Sequence, residues 1–395
     1  MPYHEPVTTV PSDTQSTLRE GIIELAFGEP DPALLAVGLV RRAAAAVLDD
    51  AGPATLSYGP LAGPAALRDE IARRIAAREG RACTAADVLV SAGNSQALGQ
   101  VLTVLTAPGD VVLVESPTYN LALGIMRDHP VAVVGVPLDE EGLHLGALQA
   151  ALAKLRAAGK RARLLYTIPT FHNPAGVCLS AQRRRELLAV AAEHGLVVVE
   201  DDVYRELVYE GHAPPALWAL GGEAAVVRLG SFSKTLAPGL RVGWINASGG
   251  LLERLAAAGV LESGGCVSQF GASVVGRLLA FGGYDEHVAE LRRTYASRRD
   301  ALAAALREHL PAGCSFASPA GGFFIWLTLP AGHLAAELLP VAEARGVAFA
   351  PGARFCSDGD DRSLRLSFSL YDERTLEEGA RRLGAAVTAA QAGRA

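Results

Sequence analysis

Short apolar runs alternate with longer amphipathic or alanine-rich stretches through most of this 395-residue chain. Stretches that favour helices, near 95–106, 119–128, 144–158 and 180–194, stand between several of the runs. Alternation of this kind predicts a mostly parallel β-sheet with helices on both faces, an α/β fold. The predicted strands are 88–91, 111–115, 131–136, 163–168, 196–200, 225–230 and 241–246.

The length of the chain favours two domains, because a single hydrophobic core rarely serves so many residues. After about residue 285 a long helical pattern is followed by short strands mixed with helices, which indicates a smaller α+β unit. We therefore predict an N-terminal segment over 1–50 that joins the small domain, a large domain over 51–290 and a small C-terminal domain over 291–395.

Composition excludes several classes of function. The net charge is −6, so the chain has no basic footprint for nucleic acid or an anionic membrane. No apolar run reaches 18 residues, and the first residues lack the pattern of a signal peptide. The five cysteines are scattered without C-x-x-C spacing, which favours a reduced, cytoplasmic protein over a disulfide or metal framework.

Lys234 lies in a Gly/Ser/Pro-rich turn, just after the predicted strand 225–230. A lysine amine forms an imine with an aldehyde where its surroundings favour the free base. Ser231, Ser233 and Arg241 could hold a phosphate beside it through charge-assisted hydrogen bonds. An aldehyde with a phosphate arm suggests pyridoxal phosphate. A surface lysine beside a serine-rich turn is the alternative that these residues alone leave open.

Polar residues also follow other predicted strands, where ligands of open α/β sheets bind. The stretch 91–96 opens a helix and presents free N–H groups to an anion, although a simple helix cap is the alternative. The acidic run 200–202 needs a cation or a proton nearby, and a protonated pyridine nitrogen would serve; a solvated acidic turn is the alternative.

Three further side chains suit a flat, charged ligand. Asn173 follows strand 163–168 in a turn, and its amide could bond a phenolate oxygen. Tyr119 could stack on a ring or simply fill the core. Arg365 alternates with apolar residues in a predicted strand and needs a carboxylate partner, either from a substrate or from a structural salt bridge.

Nine spaced motifs together make the chain resemble the fold-type I pyridoxal-phosphate enzymes of the class I/II aminotransferase family. Within that family it is most similar to 2-aminoadipate and kynurenine aminotransferases and to the aminotransferase-like domains of GntR-type regulators. The motifs are SYGPLAG (57–63), AGNSQAL (92–98), ESPTY (115–119), PTFHNPAG (169–176), VVVEDDVY (197–204), GSFSKTLAPGLRVGW (230–244), GGFFIWL (321–327), PGARF (351–355) and LRLSFS (364–369).

The resemblance implies a large domain with a seven-stranded, mostly parallel sheet sandwiched by helices, a small α+β domain, and a homodimer with shared active sites. It also implies an aminotransferase that moves the α-amino group of an amino acid to a 2-oxo acid.

The family's residue roles transfer to matching positions of this sequence. Lys234 would hold the cofactor as an imine and then carry the proton at the substrate's Cα, and Asp201 would pair with the pyridinium nitrogen. The other implied contacts are Asn173 and Tyr204 to the phenolate oxygen; Tyr119 to the ring face; Ser231, Ser233, Arg241 and the amides of Ser95 and Gln96 to the phosphate; Tyr58 to the phosphate of the neighbouring subunit; and Arg365, with the backbone of Gly28 nearby, to the α-carboxylate.

Departures from the family pattern concern the substrate and the outcome of the reaction. His172 stands where glutamine is usual, Ala175 where threonine is usual and Phe323 where methionine is common, and the stretch 262–268 is unusual. We interpret His172 as a packed residue behind the site. The same site could instead catalyse β/γ-elimination or replacement, cyclisation or oxidation in a specialised pathway. A cofactor-sensing regulatory domain is a third reading, disfavoured by the short, non-basic segment before Ile22.

Overall fold

The computed structural model describes residues 18–222, 224–247, 250–356 and 362–392. The first 17 residues of the predicted N-terminal segment therefore lie outside the described part. The strands are β1 (Ile23–Glu24), β2 (Val88–Ser91), β3 (Val111–Ser116), β4 (Ala132–Asp139), β5 (Gly142–Leu143), β6 (Ala162–Thr167), β7 (Val197–Asp201), β8 (Ala225–Ser231), β9 (Gly243–Ala247), β10 (Ser315–Phe316), β11 (Phe324–Thr328), β12 (Val347–Ala348), β13 (Ala350–Pro351) and β14 (Ser363–Ser367).

Helices connect most of these strands. They are α1 (Val37–Leu56), α2 (Ala65–Glu79), α3 (Asn94–Leu105), α4 (Asn120–Arg127), α5 (Leu145–Ala157), α6 (Ala181–Glu193), α7 (Leu217–Leu220), α8 (Leu251–Ala256), α9 (Gly259–Gly264), α10 (Gln269–Phe281), α11 (Tyr284–His309), α12 (Ala335–Glu343) and α13 (Glu373–Ala392).

An eight-stranded sheet in the order β2-β9-β8-β7-β6-β3-β4-β5 forms the centre of the molecule. The five strands β8, β7, β6, β3 and β4 run parallel to their neighbours within that group. β9 is antiparallel to both β2 and β8, and β5 is antiparallel to β4. All seven strands predicted from the sequence are present, and β5 adds a two-residue strand at one edge.

Alternate side chains of this sheet enter two hydrophobic cores, one on each face. In β7, Val198 packs in one core with α6 and α10, whereas Val197 and Val199 pack in the other with α3. In β3, Leu113 and its two valine neighbours divide in the same way. Helices therefore cover both faces, as the near-continuous apolar runs of the strands predict.

A second, four-stranded antiparallel sheet in the order β10-β11-β14-β13 lies in the C-terminal part of the chain. It has its own core, to which α11, α12 and α13 contribute. The N-terminal strand β1 pairs with β12, so residues near Ile23 attach to this C-terminal unit. The domain boundaries at 50 and 290 remain predictions, although this pairing is what the predicted N-terminal segment requires.

The first helix contains a proline. α1 is interrupted at Ala51, whose φ of −143° is not helical, two residues before Pro53, a residue type that breaks helices. Sequence analysis did not predict α8, α9 and α10, and part of the unusual stretch 262–268 is the end of α9. Within the described residues, no helix is long and apolar enough to cross a membrane.

Gly243, the first residue of β9, lets three segments approach closely. A Cβ atom there would lie 2.8 Å from the Gly230 carbonyl oxygen and 2.9 Å from the Gly93 Cα. Both contacts are to backbone, which cannot swing away like a flexible side chain. This close approach brings the ends of β2 and β8 to the same edge, since Ser91 and Ser231 both pair with Gly243.

We predict that Gly243→Ala lowers the stability of the protein by about 1–3 kcal/mol, because the added methyl group overpacks this junction. Thermal unfolding of the purified variant would measure the loss. Gly239→Ala is the matched control, because a Cβ atom at Gly239 meets nothing within 4 Å. Equal unfolding midpoints for the two variants would contradict the prediction.

Candidate active site

Chemically active side chains meet at one edge of the large sheet. Asp201 ends β7, Lys234 lies three residues after the end of β8, and Asn173 follows β6. Parallel strands present their carboxyl ends at the same edge, and β9 presents its amino end there because it runs antiparallel. From the C-terminal sheet, β14 brings Arg365 to the same place, where Arg365 donates to Asn173.

The amine of Lys234 is held inside this site. Its Nζ donates to the backbone carbonyl of Gly28 at 2.9 Å and lies 5.8 Å from the centre of the Phe323 ring. Burial lowers the pKa of Lys234 to about 8, and the positive charge of Arg365 acts in the same direction, while Glu29 and Asp201 oppose it. A large share of the amine is therefore uncharged in mildly alkaline solution, as a nucleophile or a base requires.

Asp201 carries a buried carboxylate that accepts two hydrogen bonds. Asn94 Nδ2 donates to it at 2.8 Å and the Tyr166 hydroxyl donates at 2.7 Å. Burial raises the pKa of Asp201 to about 6, against an ordinary 3.8, and the negative charge of Asp202 adds to the rise. Among the described residues no lysine or arginine makes an ion pair with this carboxylate, so its charge is only partly compensated.

The two acidic neighbours of Asp201 face elsewhere. Asp202 accepts from Arg205 at 2.5 Å and lies 2.7 Å from a nitrogen of Arg228. Glu200 accepts from the backbone amides of Leu217 and Trp218 at the start of α7. The fold therefore separates the acidic run, and only its middle member faces Lys234.

Arg365 is buried in the site without an acidic partner among the described residues. Its Nη1 donates to Asn173 Oδ1 at 2.8 Å and its Nη2 to the carbonyl of Ala26 at 2.6 Å. The rings of Phe324 and Phe355 lie 4.1 and 4.7 Å from the guanidinium carbon, and Nε has no hydrogen-bond partner in the described part of the chain. Burial lowers the pKa of Arg365 to about 10. No carboxylate of the described residues therefore forms the structural salt bridge that sequence analysis left open.

Aromatic side chains line the site. Tyr204 is buried and makes edge contacts with Phe323 and Phe324 at ring-centre distances of 5.4 and 5.9 Å. Burial raises the pKa of the Tyr204 hydroxyl and Tyr119 adds to the rise, whereas the positive charge of Arg365 opposes it. Tyr119 precedes α4, and its hydroxyl also interacts electrostatically with Arg365. The two tyrosines and Arg365 are thus near neighbours in the site.

A cluster of hydroxyl and N–H groups lies at the junction around Gly243. The Ser231 hydroxyl donates to Ser233 Oγ at 2.9 Å, and the Ser233 amide donates back to Ser231 Oγ. Arg241 has a left-handed backbone, with φ 49°, and its Nη2 donates to the carbonyl of Ala92 at 3.1 Å. Gly93 precedes α3, so Ser95 and Gln96 carry two of the N–H groups that have no acceptor within the helix.

Two predicted residues behave differently from the rest. The side chain of Gln96 accepts from the Ala92 amide and donates to Gln100, so only its backbone amide remains for an anion. Tyr58 is 90% exposed and is not brought into this chain's own site. Near it, a Cβ atom on Gly265 would collide with the carbonyl oxygen of Gly59, so the stretch 262–268 packs against the loop that carries Tyr58.

His172 packs behind Asn173, as its interpretation from the sequence requires. Its Nδ1 accepts from the amide of Ala175 at 3.2 Å, and its Nε2 lies 3.0 Å from a carboxylate oxygen of Glu115. Both side chains are fully buried, and Glu115 also accepts from Thr167 and from the amide of Ile168. This cluster ties the turn that carries Asn173 to the ends of β3 and β6.

Asn94, Tyr166 and Glu115 belong to the site but were not predicted. Asn94 lies in the stretch 91–96, which the sequence predicts to open a helix, but the hydrogen bond of its side chain to Asp201 was not predicted. Tyr166 lies inside an apolar strand, and no local signal marks it. Glu115 directly follows a run of apolar residues in β3, where a buried carboxylate needs hydrogen-bond donors.

The residues present fit pyridoxal phosphate. A pyridinium nitrogen would give the buried Asp201 carboxylate the cation that it lacks among the described residues. Gly93 lets the guanidinium group of Arg241 come close to the backbone, because a Cβ atom there would lie 2.6 Å from Nη2. Arg241 thus lies beside the N-terminus of α3, and the two together suit a phosphate. Lys234 would hold the aldehyde carbon between these two ends.

Comparisons with known proteins agree with this arrangement. The family model for class I and II aminotransferases matches residues 20–383. The chain is 37% identical over 377 residues to 2-aminoadipate transaminase of Thermus thermophilus, covering 94% of this chain and 91% of that protein. It is 34% identical over 372 residues to an uncharacterised helix-turn-helix transcriptional regulator of Bacillus subtilis, covering 92% of this chain and 73% of the regulator.

A solved structure gives the same result. The kynurenine aminotransferase of Pyrococcus horikoshii, in complex with PMP, superimposes with a TM-score of 0.89 at 36% identity. The match covers 94% of this chain and 91% of that chain. The resemblance, the fold and the cofactor inferred from the sequence are thereby confirmed.

We predict that Asp201→Asn and Asp202→Asn change the stability of the cofactor-free protein in opposite directions at pH 7. Asp201 has a raised pKa, so its charged form destabilises the fold; the stability of the wild type falls as the pH rises from about 4 to about 6. Asp201→Asn should then add about 1–3 kcal/mol at pH 7 and less at pH 4.

Asp202 has a pKa lowered to about 2 by Arg205 and Arg228, so its stabilisation is present above about pH 4 and is lost as the pH falls towards 2. Asp202→Asn should cost about 3–5 kcal/mol at pH 7, because it leaves two buried guanidinium groups undercompensated. Thermal unfolding at pH 4 and pH 7 measures both effects. A stabilising Asp202→Asn, or an Asp201→Asn that destabilises equally at both pH values, would contradict these assignments.

Proposed function

Because the chain belongs to the aminotransferase class I and II family and is a pyridoxal-phosphate-dependent aminotransferase, we propose that the residues around Lys234 carry its chemistry. The amino donor is an α-amino acid and the acceptor is a 2-oxo acid. The observation that carries the choice of an α-amino acid is Arg365, a buried guanidinium without a carboxylate partner among the described residues.

When bound, pyridoxal phosphate supplies an aldehyde that takes up the amino group and a ring that stabilises negative charge at the substrate's Cα. Lys234 removes the proton from Cα, because its lowered pKa leaves much of the amine uncharged. The same Nζ would then return the proton to the former aldehyde carbon, which is close enough to Cα for one lysine side chain to reach both. The carbonyl of Gly28, 2.9 Å from Nζ, holds the amine on this side of the site.

Asp201 would keep a proton on the ring nitrogen by charge pairing, and Asn94 and Tyr166 hold its carboxylate in place. Asn173 and Tyr204 would bind the phenolate oxygen, and Tyr119 would stack on the ring. The phosphate would be bound by Ser231, Ser233, Arg241 and the amides of Ser95 and Gln96. These roles rest on the position of each group at the shared edge of the sheet.

Arg365 binds the α-carboxylate through its guanidinium group. Asn173 Oδ1 and the Ala26 carbonyl already orient two of its nitrogens, and two phenylalanine rings restrict its plane. A carboxylate would replace the missing negative charge and gain bidentate, charge-assisted hydrogen bonds. This contact would fix Cα beside Lys234.

The active unit is a homodimer in which Tyr58 completes the phosphate site of the partner. Tyr58 is almost fully exposed on its own chain, and Leu56 beside it is 69% exposed. Val260 and Phe270, which flank the stretch 262–268, are also exposed apolar residues. A partner surface would bury them and bring the Tyr58 hydroxyl to a second site.

We place the protein in the cytoplasm. Among the described residues no cysteine forms a disulfide bond, which suits a reducing compartment. Neither nucleic acid nor a membrane is proposed as a partner.

We predict that Arg365→Gln lowers kcat/KM for an α-amino acid donor by about 10²–10³-fold, because the α-carboxylate loses a buried charge partner. For the primary amine that differs from this donor only in lacking the carboxylate, kcat/KM should change little. Steady-state transfer to 2-oxoglutarate or pyruvate, with the ping-pong pattern expected of two half-reactions, provides the measurement. Arg345→Gln is the control for loss of an arginine charge, because Arg345 is exposed. An equal loss of kcat/KM for the amino acid and for the amine would contradict the assignment of Arg365 to the α-carboxylate.

The shared site predicts complementation between two defective variants. Lys234→Ala removes the reactive amine, and Tyr58→Ala removes the contact to the partner's phosphate. A mixed dimer would contain one site with both changes and one intact site, so reassembled mixtures should recover roughly a quarter of wild-type activity. Recovery no greater than the sum of the separate variants would exclude sharing through Tyr58.

A further inference from the structure

The segment 28–31 passes beside the amine of Lys234. The carbonyl of Gly28 accepts from Lys234 Nζ, and the Ser369 hydroxyl donates to the carbonyl of Glu29 at 2.6 Å. Asp31 forms an ion pair with Arg298 of α11 at 2.7 Å. These three contacts hold the segment in place, so the Cα atom of Glu29 has a defined position next to the reactive amine.

The carboxylate of Glu29 makes no hydrogen bond or ion pair with the described residues, although it is half-buried. It is close enough to Lys234 for each charge to act on the other. Burial raises the pKa of Glu29, because the carboxylate has lost part of its hydration without gaining a bonded partner. A carboxylate in this condition binds a cation or a strong hydrogen-bond donor favourably.

The other charges around Lys234 already have functions. Asp201 is held by Asn94 and Tyr166 and serves the ring nitrogen, and Arg365 serves the α-carboxylate. Glu29 is left to face what remains of a bound amino acid, which is its side chain. An acidic side chain would meet like charge in a partly desolvated site, whereas a cationic one would meet opposite charge.

We propose that Glu29 is a specificity-determining residue that selects α-amino acids with a cationic side chain and rejects those with an acidic side chain. The proposal rests on the proposed function, since Arg365 must hold the α-carboxylate for the side chain to approach Glu29. Glu29 takes no part in the proton transfer, which belongs to Lys234.

Three amino acids of similar length test the selection. Lysine carries a terminal ammonium, norleucine is its uncharged counterpart, and 2-aminoadipate carries a terminal carboxylate. For the wild-type holoenzyme, kcat/KM should fall in the order lysine, norleucine, 2-aminoadipate. Glu29→Gln keeps the size of the side chain and removes its charge. The ratio of kcat/KM for lysine to kcat/KM for 2-aminoadipate should fall by about 30-fold or more, while kcat/KM for norleucine should change by less than about threefold.

Glu140→Gln is the matched control. Glu140 is an exposed carboxylate in the turn between β4 and β5, at the edge strand of the large sheet. This variant should leave all three values of kcat/KM unchanged. Cofactor content and the thermal unfolding midpoint of each variant show that the comparison is made between folded holoenzymes.

The outcomes separate the proposals. If Glu29→Gln is active and its kcat/KM values for the three amino acids are unchanged or change by the same factor, the selection by Glu29 is overturned. The carboxylate would then act only on Lys234 or on the fold. If the wild type transferred nitrogen from none of the amino acids, the proposed function would be overturned instead. A single-turnover reaction of the holoenzyme with each amino acid, followed as loss of the bound cofactor's aldehyde, tests this outcome separately from the selectivity.

Discussion

The burial of charge at one edge of the large sheet is the constraint on which the site depends. Asp201 and Lys234 each lose hydration there, and their pKa values move towards each other, to about 6 and about 8. A buried carboxylate and a buried amine with shifted pKa values are costly for the fold, and active sites are where such costs occur. A positively charged ring bound beside Asp201 would relieve the first cost.

The surrounding protein assigns each charge a different partner. Asp202 belongs to a buried cluster with Arg205, Arg228 and Glu79 that connects β7 and β8 to α2. Arg365 has only neutral oxygens as partners among the described residues, so its charge remains for a ligand. Asp201 and Asp202 are therefore neighbours in the sequence with different roles: Asp202 is ion-paired and stabilises the fold, whereas Asp201 has no ion pair among the described residues and faces the site.

Sequence patterns were sufficient for seven of the eight strands of the large sheet and for the order of the motifs. Buried parallel strands consist of short apolar runs, and polar residues must follow them where the chain leaves the core. The patterns failed at α8, α9 and α10 and at Tyr166. α8 and α9 have only six residues each, and Tyr166 meets Asp201 only because β6 and β7 are neighbours.

The sequence by itself determined the class of fold, the family and the cofactor, and it predicted which lysine and which acid would serve that cofactor, because these depend on local residue types in a fixed order. Tertiary structure decided which member of the run 200–202 faces the site, that Arg365 has no acidic partner in the described residues, and that Glu29 stands beside Lys234. These facts depend on strands and loops that are far apart in the chain. Charge interactions act through space and burial, and neither can be read from neighbouring residues in a sequence.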